Sequence, residues 1–176
     1  MSEQKSFFSC DNVSHKGQTN TWFTPKHISE PLGAFDLDPC TQSFRPFDIG
    51  RVNYCEDEGQ DGLALTWFGR VWLNPPYGRF IGTWLDRLRR HGNGMALVFG
   101  RTETKWGQKA LRTADAVLFL SGRISFIKHD GSKSNNAGTG NMLLAYGDEN
   151  VTALKRLEGV IYTQPTPTQG GGGKLK

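Results

Sequence analysis

The stretch that decides the fold runs from Arg70 to Gly100, "RVWLNPPYGRFIGTWLDRLRRHGNGMALVFG". It opens on a strand-like run, Val71-Trp72-Leu73, that meets two consecutive prolines at once. Neither proline can serve a strand ladder or a helix interior, because each lacks an N–H and fixes its own φ. Beyond them Ile81, Trp84, Leu85 and Leu88 fall at i, i+3, i+4 and i+7, the period of an amphipathic helix. "HGNG" (91–94) ends that helix. "MALVFG" (95–100) is then a continuous apolar run bounded by glycines, as expected of a buried parallel strand.

The same alternation extends outward in both directions. Upstream, "TPKHISEPLG" (24–33) reads as a short helix capped by Thr24, with Pro25 in its first turn and Gly33 as its stop. "AFDLDP" (34–39) reads as a short strand ended by Pro39, and "RVNY" (51–54) is a strand candidate within polar, Gly-dotted text. Downstream, a helix through Trp106 to Arg112 leads to a second apolar run, "AVLFL" (116–120). "RISFI" (123–127) and "MLLAY" (142–146) flank a long polar loop and are expected to form an antiparallel pair. Strands alternating with helical segments predict an open, mostly parallel α/β sheet, with that antiparallel pair near the C-terminus. Ligands of such sheets sit outside the carboxyl ends of the strands. Asn74-Pro75-Pro76-Tyr77 occupies one of those ends.

The bulk numbers narrow the partners. A chain of 176 residues is expected to make one compact domain, here 21–162, with a polar arm at 1–20 and a Pro/Gly-rich, disordered tail at 163–176. Twenty-one Lys and Arg against seventeen Asp and Glu give +4, a modest bias toward polyanions. Cys10, Cys40 and Cys55 have no C-x-x-C spacing and read as free thiols in a reducing cytoplasm. The four histidines are scattered, so no metal is expected. No apolar run is long enough for a membrane span, and "MSEQKSFFSC" lacks a signal-peptide core.

The Asn-Pro-Pro-Tyr loop has a chemistry of its own. An exocyclic amine on a base, or an amide nitrogen, is a poor nucleophile because its lone pair is delocalised. Two acceptors aimed at its N–H groups favour the tetrahedral geometry it needs for attack. Asn74 offers a side-chain oxygen, and the Pro75 carbonyl offers the second. Both prolines hold these acceptors still, and preorganised dipoles need no rearrangement when reaction occurs. Tyr77 supplies a flat face for a planar substrate. The plainer reading makes Asn-Pro-Pro a tight strand exit and Tyr77 a core residue.

"WFTP" (22–25), "FDLDPC" (35–40), "DGL" (61–63), "WFGRVWLNPPY" (67–77) and "GRISF" (122–126), in that order, resemble the phage-encoded DNA adenine-N6 methyltransferase family, a Dam-like group. The resemblance covers Trp22 to Tyr146 and implies a Rossmann-like domain that uses S-adenosyl-L-methionine. It implies transfer to a flipped adenine of double-stranded DNA, in a host cytoplasm, shielding phage DNA from restriction. Carried over by position, Asn74, Pro75, Pro76 and Tyr77 match the catalytic loop. Thr24 and Pro25 match the element beside the cofactor's methionine part, and Asp38, Pro39 and Cys40 match the loop after the first strand. Asp36, one pleat from Asp38, is expected on the same face. As residues alone, Asp36 and Asp38 would also serve as turn formers. Asp61 resembles the acid near the cofactor adenine, while the ribose acid stays open among Glu56, Asp57 and Asp61. The chain departs from the pattern in having no glycine between Phe35 and Ile49, so close backbone approach must be arranged another way.

Relatives in chemistry methylate an RNA base or a protein glutamine amide, and an inactive DNA-binding module would keep the fold alone. DNA contacts are expected in the basic loop 128–140, with the 86–91 helix face as the next candidate.

Overall fold

The computed structural model describes residues 22–164 apart from 44, 129–130 and 135–137. Strands β1 (Phe35–Thr41), β2 (Gly50–Cys55), β3 (Val71–Leu73), β4 (Gly94–Phe99) and β5 (Ala116–Leu120) run one way. Strands β6 (Asn141–Tyr146) and β7 (Gly159–Thr163) run the other. They form one seven-stranded sheet in the order β2-β1-β3-β4-β6-β5-β7.

Helices cover both faces. On one face α2 (Ile81–His91) and α3 (Lys105–Thr113) lie over the sheet. Ile81, Trp84, Leu85 and Leu88, the residues that set the helical period, pack with Val71, Leu73, Ala96 and Val98. Gly92 ends α2 at φ 75°, the left-handed cap that glycine adopts without a Cβ clash. Thr104 caps α3 by accepting from the Gly107 amide at 3.0 Å. On the other face α1 (Lys26–Ser29), α4 (Asp148–Leu154), Ile124 and Phe126 cover Phe35, Trp72, Met95, Leu97, Leu118 and Leu143. Burial on both faces explains why β4 and β6 are apolar runs rather than alternating strands.

Several elements differ from the sequence expectation. Residues 123–127 do not pair with β6, because both edges of β6 are taken by β4 and β5. Ile127 instead makes isolated bridges to Phe23 and Lys133. β1 continues past Pro39 to Thr41, with its register against β2 shifting between Asp38 and Thr41, around the residue that has no N–H to give. The N-cap of α1 is Pro25, not Thr24, and no side chain caps it. Helix α4 and strand β7 had no clear signal: α4 is short, and β7 is an edge strand with Val160 and Tyr162 exposed. β7 includes Thr163, and the expected tail beyond 164, like the arm at 1–20, lies outside the described residues.

Among its described residues the link from β1 to β2 has no helix. A parallel return normally takes a dozen or more residues, yet here it is made by residues 42–49. Going back along a strand of this length means covering about 20 Å, and an extended chain reaches ~3.3 Å per residue. Eight residues are enough to span it, and the link lays Pro46, Phe47 and Ile49 along the wall of the pocket described next.

Candidate active site

From β1 the chain turns to one side to form β2, then crosses back to lay β3 on the other side of β1. That reversal opens a crevice at the carboxyl ends of β1 and β3, where open α/β sheets take their ligands. A pocket lies there. Asp38, Pro39 and Cys40 of β1, Glu56 and Asp57 after β2, and Asn74 to Tyr77 after β3 line it, with Thr24 and Asp61 closing it.

Asn74 is held from two sides. Its Nδ2 donates to the Trp22 carbonyl at 2.7 Å, and its own main-chain carbonyl accepts from the Cys40 thiol at 3.3 Å. A carbonyl can only accept, so the amide nitrogen must face Trp22. Oδ1 is left buried without a hydrogen-bond partner. Buried polar atoms are rarely left that way. Tyr77 stacks on Phe99 with ring centroids 4.0 Å apart and planes 19° apart, and Phe99 meets Phe126 edge-on. Burial raises the Tyr77 hydroxyl's pKa against a smaller opposing pull from the Phe99 backbone, and the hydroxyl makes no hydrogen bond of ordinary geometry.

Asp38 is buried, and its Oδ1 accepts from the Cys40 amide at 3.2 Å. Burial pushes its carboxyl up to about 7, although the Cys40 amide and the positive charge of Arg45 pull it back. No described residue of the lining is Lys, Arg or His, so this acid has no cation beside it in the pocket. Burial, reinforced by Asp38, raises the Cys40 thiol well above its usual range, which keeps it protonated as a donor to Asn74.

The remaining predicted residues divide. Asp61 lines the pocket and turns its Oδ1 to the Leu63 amide at 2.8 Å. Asp57 accepts from the Ser43 hydroxyl at 3.3 Å, and Glu56 stands exposed at the end of β2. Thr24 is buried in the wall with Oγ1 unpartnered. Pro25 is buried outside the pocket lining. Asp36 is not in the pocket either. The amides of Asp36 and Leu37 both donate to the Arg70 carbonyl, at 2.7 and 3.3 Å, which interrupts the pleat. Phe35 and Leu37, two residues apart, consequently pack in opposite cores. The expectation that Asp36 shares a face with Asp38 fails for that reason. Asp36 instead accepts from the Arg70 amide at 2.8 Å and pairs with Arg51.

A family model described as DNA N-6-adenine-methyltransferase (Dam) matches residues 12–155. The chain belongs to the Dam family. A search of curated proteins and one of solved structures return no match. The Dam match spans every residue that lines the pocket and stops short of β7.

Three parts of this Dam-family site escaped sequence reasoning. Trp22 stood in the "WFTP" motif, but a main-chain carbonyl has no signature in a sequence. Phe99 was the last residue of an apolar run, with nothing to mark it as the ring behind Tyr77. Gly62 is the third: a Cβ built there would sit 1.7 Å from the Pro39 carbonyl oxygen. The 61–63 turn packs directly on the end of β1, an approach that leaves no room for a side chain at 62. Among the described residues no group of three or more His, Cys, Asp or Glu could hold a metal ion, and no helix is long and apolar enough to cross a membrane.

Proposed function

We propose that the chain transfers a methyl group from S-adenosylmethionine to N6 of adenine in double-stranded DNA, an activity of the kind that shields phage DNA from host restriction. One observation carries the reading: Asn74 Oδ1 is buried and unpartnered while Nδ2 is locked to Trp22, which makes a preformed acceptor. Oδ1 and the Pro75 carbonyl take the two N–H groups of the target amine. The Asn74 carbonyl is already engaged by Cys40, so Pro75 is the next acceptor along the loop. Tyr77, backed by Phe99, gives the adenine a flat surface. A target atom inside a stacked duplex is out of reach of such a loop, so the base must be flipped out.

S-adenosylmethionine, when bound, supplies an electrophilic methyl on a sulfonium. The pocket fits it. Asp38 is a buried carboxyl without a cation in the described lining, and the methionine ammonium completes it. Thr24 has an unpartnered hydroxyl for the same end of the cofactor. Glu56, exposed in the lining at the carboxyl end of β2, binds the ribose hydroxyls. Asp61 stays toward the adenine ring. Pro25 and Asp36 have no part in binding.

Replacing Asn74 with Ala tests the reading. Losing one preorganised group of this type costs about 2.7–4 kcal/mol, roughly 100- to 1,000-fold in rate. The variant should still take a thermal shift from S-adenosylmethionine. Transfer within a few-fold of wild type would remove Asn74 from the chemistry.

A further inference from the structure

We infer that the main-chain carbonyl of Trp22 is a positioning element of the reaction, setting which way round the Asn74 amide is held. The inference rests on the acceptor role proposed for Asn74 and concerns what keeps that acceptor in place. An amide turned by 180° about its last bond would present N–H groups to the substrate amine and repel it. Nothing in Asn-Pro-Pro prevents this turn, since the prolines constrain only the main chain. The Trp22 carbonyl does prevent it. It lies 2.7 Å from Nδ2 and cannot donate, so Oδ1 faces the other way, buried and unpartnered. Trp22 is held in turn. Phe23 and Ile127 exchange both main-chain hydrogen bonds at 3.0 Å, and the Trp22 ring lies against Phe126 with centroids 6.4 Å apart. The orientation of the amide is thereby tied to residues 123–127, which lead into the basic loop beginning at Lys128.

The variant that tests this is Asn74→Asp. It keeps the size and an acceptor oxygen but has no N–H. Ionised, it sets a carboxylate against the Trp22 carbonyl. Protonated, one oxygen donates to that carbonyl and the other remains an acceptor. The titratable groups of the surrounding wall are Asp38, Glu56, Asp57, Asp61, the Cys40 thiol and the Tyr77 phenol, with no cation in the described lining. Arg45, outside the lining, pulls the neighbouring Asp38 toward its ionised form, and burial outweighs that pull.

Single-turnover transfer would be measured from about pH 5.5 to about pH 8.5, with cofactor and DNA saturating and wild type as the reference at each pH. The variant should be roughly 100-fold or more slower at the alkaline end and recover progressively toward the acid end. Melting gives a readout independent of turnover. A carboxyl whose folded pKa is raised loses stability as pH rises through that range, so the gap in Tm to wild type should widen with pH. A flat relative rate together with a constant Tm gap overturns the inference. If Asn74→Ala is inactive while Asn74→Asp is level across pH, the orienting role alone is lost. If Asn74→Ala works at the wild-type rate, the acceptor reading fails and this inference fails with it.

Discussion

At Asp38 the ligand-free fold carries an electrostatic penalty that a bound cation would remove. Its folded carboxyl titrates at about 7, against an ordinary value of 3.8, chiefly because it is buried. Between those values the folded chain holds a proton that the unfolded chain has released. Stability therefore falls as pH rises through the window, and the penalty is complete above about 7. Asp38→Asn should melt above wild type at pH ~8 and level with it near pH ~4, each kcal/mol being worth about 2–4 °C in a chain of this size. It should also lose the thermal shift given by S-adenosylmethionine, because only the folded state binds ligand. A variant that melts lower at alkaline pH, or shifts as wild type does, would return Asp38 to the turn formers. Tyr77 separates stacking from packing. Tyr77→Phe removes a buried, unpartnered hydroxyl and should keep both rate and stability. Tyr77→Ala removes the flat face, worth about 1–3 kcal/mol, or roughly 5- to 150-fold in single-turnover rate. An Ala variant that melts early but turns over normally at low temperature would make the ring a packing residue.

Elements were legible where a repeating period met a boundary residue. α2 declared itself through Ile81, Trp84, Leu85 and Leu88, and β4 through an unbroken apolar run between glycines. The pocket's end of the sheet followed from those two, since they fix which end of β3 carries Asn74. What stayed hidden depends on contacts between distant segments. The interrupted pleat at Asp36 is set by the Arg70 carbonyl, and the fate of residues 123–127 by β4 and β5 already flanking β6. Neither has a local signature. The 61–63 turn is a third such contact, and Gly62→Ala tests it. A Cβ 1.7 Å from the Pro39 carbonyl forces two backbones apart. Overpacking of this kind costs about 1–3 kcal/mol, and here it would also pull Asp61 and the end of β1 out of register with each other. The variant should melt lower and bind S-adenosylmethionine more weakly. Wild-type melting with wild-type binding would contradict the close approach.

Over the whole molecule, direction decides which charges can meet DNA. The loops that follow β3, β4 and β5 open on the rim that holds the pocket; they carry exposed Arg79, Arg101, Arg123, Lys128 and Lys133, and α3 starts with exposed Lys105. The last turn of α2 lies at the opposite rim, because α2 leads back to the start of β4. There Arg89 pairs with Asp86; Arg87, a residue nearer the middle of α2, is turned to the carbonyls of Leu63 and Leu65. The expectation that made the 86–91 face a second DNA surface is not supported by this arrangement. Each phosphate contact contributes about −0.9 to the slope of log affinity against log salt. Neutralising Lys128 and Lys133 together should flatten it by about twice that, while neutralising Arg89 and Arg90 should leave it unchanged. The reverse pattern would move DNA to the other rim. The central claim, a methyl group delivered to adenine N6 of DNA by Asn74, is tested most directly by labelled transfer. Wild type and Asn74→Ala would be given labelled S-adenosylmethionine with duplex DNA, RNA and protein in parallel, and the products digested to nucleosides and amino acids. The account predicts label in N6-methyldeoxyadenosine from the DNA arm with wild type, and almost none with the variant; label in RNA or glutamine instead, or equal label with both proteins, would contradict it.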